Sequence, residues 1–122
     1  MKSLIPDLTI IKFIQEGGND EVFVHSSTTF YNTQFHASPG STITLLSLEN
    51  GLADIDVYVT RDEDTPALPL RTDVNHVITL NTLANLEEVT EVKVNVKEGP
   101  TTYGSNVIKT KDSETIVKPF PA

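Results

Sequence analysis

Asp54 and Asp56 are the residues whose type and spacing come nearest to a catalytic pattern. They stand two apart in the run Asp54-Ile55-Asp56-Val57-Tyr58-Val59, so strand alternation places both on one face, about 7 Å apart. Paired carboxylates roughly 5 to 9.5 Å apart can divide acid and base work in glycoside hydrolysis. That chemistry needs a cleft between the two groups and burial of one of them to raise its pKa. Two neighbours on an outward strand face have neither. The expectation is a solvated strand face, and no catalytic residue is assigned.

Asp62, Asp64 and Asp73 are calcium candidates, with Glu63 between the first two. Calcium takes six to eight hard oxygens in irregular geometry. The run does not follow the D-x-[DN]-x-[DN]-G calcium loop. A charged loop tip is the competing reading, and no metal or cofactor is assigned. His25, His36 and His76 fall in or beside three different strands, without HExxH or any closely spaced pair. No serine lies in a G-x-S-x-G elbow, and neither G-x-x-x-x-G-K-[ST] nor G-x-G-x-x-G occurs. Phe30, Tyr31 and Phe35 could form a stacking platform for sugars or bases. On one continuous strand Phe30 shares no face with the other two, so core packing is the simpler expectation.

The elements that would position these residues are strands. Val, Ile and Thr are abundant, and their branched side chains suit a pleated sheet better than a helix. Apolar residues alternate, and no long stretch shows helical spacing. Strands are expected over Leu8 to Ile14, Glu21 to His25, Thr28 to Phe35, Ser41 to Leu48, Asp54 to Thr60, Asn75 to Leu80 and Val89 to Lys97. Asn106 to Lys118 reads as a last hairpin turning at Lys111-Asp112-Ser113. Turn signals stand at Gly17-Gly18-Asn19-Asp20, Ser38-Pro39-Gly40, Glu49-Asn50-Gly51 and Glu98-Gly99-Pro100. Pro66 and Pro69 keep Arg61 to Asp73 out of the sheet as a long acidic loop. Thr82 to Glu88 is the one plausible helical turn. The expected fold is an all-β antiparallel β-sandwich of about seven to eight strands, with a small barrel as the alternative.

The chain has 122 residues, enough for one domain with a real core. That domain spans residues 1–122, with short arms over 1–7 and 118–122. The absence of Cys rules out disulfides and thiolate chemistry and suits a reducing compartment. Nine basic against seventeen acidic residues give a net charge of −8. Nucleic-acid affinity rests on Lys and Arg displacing counterions, so no nucleic-acid partner is expected. An anionic membrane is an equally poor match. Pro6 and Asp7 interrupt the first apolar residues before they reach the length of a signal sequence, and no stretch approaches a membrane span.

The stretch from Asn75 to Lys97, reading NHVITLNTLANLEEVTEVKVNVK, resembles the E–F region of immunoglobulin-like and fibronectin type III sandwiches. It lacks their corner tyrosine near Val89 and any Cys–Trp–Cys core. The resemblance implies a sandwich and nothing about activity. Ala53 to Val59 (ADIDVYV) is similar to one strand of the bacterial prepeptidase C-terminal β-sandwich family, whose members are non-catalytic accessories of secreted enzymes.

An acidic, Cys-free sandwich with apolar residues near both ends resembles the small accessory proteins that decorate or cement bacteriophage capsids. That likeness implies a non-enzymatic structural protein in a virion, made in the host cytoplasm. It implies self-association into a homo-oligomer and binding to a larger protein shell. The apolar end residues, Leu4 and Ile5 at one end and Ile116, Val117 and Phe120 at the other, must close the domain's own sheet or reach onto a neighbour. The alternative is a bacterial surface or secreted module that binds carbohydrate or protein through Arg61 to Asp73, with or without calcium.

Overall fold

A computed structural model describes residues 4–15, 20–38 and 43–118. Nine strands run through them: β1 (Asp7–Gln15), β2 (Glu21–Phe30), β3 (Phe35–Ala37), β4 (Thr44–Glu49), β5 (Leu52–Arg61), β6 (Thr72–Thr79), β7 (Glu91–Glu98), β8 (Thr101–Lys109) and β9 (Glu114–Lys118). The helical content is one four-residue helix, α1 (Leu80–Leu83), and two single 3-10 turns at Leu86–Glu88 and Thr110–Asp112.

Two sheets form a sandwich. The first has the order β6-β2-β1-β9; the second has β3-β5-β7-β8, with β4 also pairing β5. The fold is the expected all-β sandwich, and the sheets do not close into a barrel. They are mixed rather than purely antiparallel: β1 pairs β9 in parallel, and β5 pairs β7 in parallel. A parallel pair cannot be joined by a hairpin. Here β5 crosses to β6 in the opposite sheet and returns through α1 and a 3-10 turn to β7, so the connection between the parallel strands contains a strand of the other layer.

The alternation seen in β5 and β7 builds the core. Ala53, Ile55, Val57, Val92, Val94 and Val96 are fully buried, and they sit side by side in register. Val22, Val24, Ile10, Val74 and Ile78 face them from the first sheet. Burying each large aliphatic side chain contributes about 1.5–3 kcal/mol relative to exposure.

Asn50 and Gly51 join β4 to β5 with positive φ at both residues, 53° and 83°. A two-residue hairpin demands this geometry for its twist, and Asn-Gly tolerates it best. The expected turn is therefore present for the expected reason.

Two expectations about strands change. Glu21 to His25 and Thr28 to Phe35 are one strand, β2, up to Phe30; the second half of the latter turns away before β3. Asn106 to Lys118 is not a hairpin. β8 pairs β7, while β9 crosses to the first sheet and lies beside β1. The C-terminal apolar strand thus closes the domain's own sheet. The Gly17-Gly18 and Pro39-Gly40 turns and the tail beyond Lys118 lie outside the described residues.

The chain before β1 crosses to the other sheet. The Leu4 amide donates to the Tyr103 carbonyl, and the Asn106 side chain donates to the Pro6 carbonyl. This crossing is tight at Gly104, where a Cβ would overlap the Leu4 carbonyl. Gly104→Ala is expected to lower stability by about 1–3 kcal/mol through overpacking, read as a lower urea midpoint with an unchanged slope.

Candidate recognition site

At one end of the sandwich, two loops meet above an aromatic base. β2 stops at Phe30, and residues 31–34 turn the chain into β3. Phe30 and Phe35 therefore stack, with ring centroids 4.1 Å apart, although strand alternation alone would separate them. Tyr103 stands edge-on to both, at 5.6 and 5.8 Å. The Arg61 guanidinium lies over the Phe35 ring at 5.7 Å and bonds Glu98 at 3.1 Å. The Tyr103 hydroxyl donates to the other Glu98 oxygen. That bond, followed by Arg61, holds the Glu98 carboxyl below its ordinary pKa; burial, then the same carboxylate, pushes the Tyr103 phenol up. Phe30 belongs to the core, as expected, while Tyr31 points out and is 69% exposed.

The second loop, residues 62–71, connects β5 to β6. It is fixed to the first by a dense set of bonds. The Asp62 amide donates to Gln34, and the Gln34 side chain donates to the Thr65 carbonyl. The Thr33 hydroxyl donates to the Pro66 carbonyl at 2.6 Å and accepts from the Leu68 amide; the Thr33 amide donates to the Leu68 carbonyl. Pro66 and Pro69 reduce the remaining freedom of the segment. On this braced platform Leu68 and Leu70 are half-exposed, in the same loop as Asp62, Glu63 and Asp64. Sequence reasoning singled out the loop for its acids and missed these leucines. The available signal was two leucines within a proline-bounded loop, where no strand could bury them.

The calcium candidates have other partners. Asp62 accepts from the Thr65 hydroxyl and then from the Asp64 amide, and these bonds hold its carboxyl below the ordinary range. Asp73 accepts from Thr29 and from Arg71, with the same effect. Asp64 is exposed, and its amide serves the Asp62 turn. Among the described residues, no three His, Cys, Asp or Glu side chains are grouped closely enough to hold a metal.

Asp54 and Asp56 depart from the solvated face expected of them. Asp56 is only 1% exposed. The Asn95 amide donates to Asp54, to Asp56 and to the Ile55 carbonyl, and accepts from the Ser105 hydroxyl. Lys97 reaches Asp56 at 3.0 Å, and this bond raises the lysine's pKa. The pair thus anchors β5 to β7 and β8. One oxygen of Asp54 and both of Asp56 are engaged within the sheet.

The three histidines remain apart. His25 bonds Asn75, and His36 bonds the neighbouring Ala37 carbonyl. His76 faces the core at 4% exposure, where its Nε2–H donates to the Tyr58 carbonyl and burial lowers its pKa. Its Nδ1 has no partner, nor do the Ser26 and Thr28 hydroxyls on the adjoining strand. Ser26 is the direct cross-strand neighbour of His76.

At the opposite end, a cavity of about 770 Å³ opens between the sheets. Its floor is core, including Ile10, Leu80 and Val89. Its rim carries the Lys12–Asp20 pair, 3.6 Å apart, and Lys111. No helix of the described residues is long and apolar enough to cross a membrane. No protein-family model matches the chain, and neither a curated protein nor a solved structure shows significant similarity to it.

Two outcomes follow from the buried polar row. Thr28→Val removes an unpaired hydroxyl at nearly constant volume and is expected to raise unfolding free energy by about 1 kcal/mol, measured in urea. His76 binds a proton more readily unfolded than folded. Its contribution should leave stability unaffected above its ordinary pKa near 6.5 and lower it progressively as pH falls below that value. Asp62, Asp73 and Glu98 act in a separate window, losing their stabilisation as pH falls below about 4. Between about pH 7 and pH 5 the melting temperature of wild type should fall further than that of His76→Val, which has no imidazole to protonate.

Proposed function

We propose that this protein is a non-enzymatic structural component that docks onto a larger protein assembly through its braced loop tip. The observation that carries the reading is the exposure of Tyr31, Leu68 and Leu70 on a platform held by backbone and side-chain hydrogen bonds. Apolar side chains on an ordered loop cost little further ordering on binding, which favours their use as contact residues. Asp62, Glu63 and Asp64 make the same loop acidic, which suits a partner with a basic border.

Within that reading, the specific form proposed is a bacteriophage decoration or cement protein, located in the virion and bound to the capsid shell. Its support is the general type: a small, acidic, Cys-free sandwich with an apolar contact tip. Nucleic acid and membrane are not proposed as partners, because the charge of −8 opposes both phosphate backbones and anionic lipids.

The test is co-sedimentation with shells assembled from a capsid protein encoded beside this gene. Wild type is expected to pellet with the shells. Leu68→Asp and Leu70→Asp, both at half-exposed positions, are expected to stay in the supernatant while keeping the wild-type circular dichroism spectrum. A gene without capsid or tail neighbours, or a wild-type protein indifferent to the shells, overturns the virion assignment. Full binding by both aspartate variants overturns the tip as the contact.

A further inference from the structure

The sandwich ends in several sheet edges, and most of them are blunted. β3 is three residues long, and β4 beside it is bulged between Leu45 and Ser47. The outer edge of β8 is engaged by Leu4 and Pro6. β9 is five residues long, and Pro119 follows it in sequence. Each of these features discourages the addition of another strand.

β6 differs. It pairs with β2 without a break from Phe30↔Thr72 to Phe23↔Thr79. Among the described residues, no strand pairs with its other side. An antiparallel strand directs alternate N–H and C=O groups away from its neighbour, so this edge carries donors and acceptors that no described strand pairs, although β3 of the other sheet passes close by. Its sequence, TDVNHVIT, contains no Pro, no Lys and no bulge. The outward side chains are Asp73, Asn75, Val77 and Thr79. Val77, in the middle, is 59% exposed; its cross-strand neighbour on β2 is His25, while the partly buried Phe23 lies opposite Thr79, one diagonal step away.

We propose that β6 is the strand through which two copies of this chain pair, antiparallel about a two-fold axis, joining two four-stranded sheets into one. A two-fold contact must be self-complementary: residue i meets residue j, and j meets i. With the axis at His76, Asn75 faces Val77 of the second copy and Asp73 faces Thr79. With the axis at Val77, the two valines meet. In neither register does Asp73 face a carboxylate, and it is the one charge on the strand. Thr29 and Arg71 already hold it. The net charge of −8 opposes association at long range, and salt screens it beyond about 10 Å at 0.1 M. A second copy fits this edge because either register pairs the strand with itself and sets no like charges opposite each other. The pairing does not depend on the loop tip or on its partner.

The test is sedimentation of the full chain across a range of concentrations. Wild type is expected to approach twice the 13.4 kDa chain mass as concentration rises. Val77→Asp brings a carboxylate into the contact row of both copies and is expected to weaken the dimer at least about tenfold. Asn75→Lys, exposed in the same row, should act likewise, while Val77→Thr should preserve the dimer. Circular dichroism establishes that each variant is folded. Leu68→Asp should leave the mass unchanged, so failure of the tip reading and failure of this one are distinguishable. A wild type that stays monomeric throughout, or a dimer untouched by both Val77→Asp and Asn75→Lys, overturns the proposal.

Discussion

The parallel contact between β5 and β7 is the constraint on which the rest of the structure depends. Ile55 lies beside Val94, and Val57 beside Val96, all fully buried. Because the two strands run the same way, the intervening chain must travel the length of the domain and come back. It does so as β6, on the opposite sheet. One pairing therefore dictates that the two layers face each other across the same core. It also leaves β6 at an edge and puts a long connection, residues 62–71, at the end where β5 leaves. The recognition tip is the covalent consequence of that crossing.

The outer side of the same pair is polar but not idle. Asn95 ties β5, β7 and β8 together through Asp54, Asp56, Ile55 and Ser105. An unpaired carboxylate as buried as Asp56 would be costly, and Lys97 with the Asn95 amide offsets that cost. A polar network satisfied on every side specifies alignment along the strands, which an apolar face of uniform valines does weakly. Inside the sandwich the situation is reversed. Ser26, Thr28 and His76 bring polar atoms into the core and leave three of them without partners. The domain thus spends stability on its inner face and recovers alignment on its outer one.

Local patterns in the sequence carried much of the fold. The alternation of Val92, Val94 and Val96, the Asn50-Gly51 turn and the prolines of the long loop each act over a few residues, and each is present as expected. What could not be read was which sheet a strand joins. The residues of β9 alternate no differently from a hairpin partner of β8, and only packing decides that they lie beside β1. Phe30 and Phe35 looked incompatible because facing was counted along one strand, while the chain turns between them. Asp56 was assigned outward correctly; what hides it is the pairing of Asn95 and Lys97 from β7, a contact 39 to 41 residues away. Of the candidate site, the loop was legible from its prolines and acids. The exposed leucines were signalled only by their place in a proline-stiffened loop, which offers no strand to bury them.

The parallel ladder between β1 and β9 has a mechanical consequence. Near the two ends of the described chain, β1 and β9 lie side by side and run the same way, so the chain enters along one and leaves along the other. Tension applied to the ends would slide these strands lengthwise past each other, loading all of their hydrogen bonds at once instead of peeling them one by one. A force-extension trace should then show a single abrupt rupture at high load, and a gradual, low-force opening would contradict this reading.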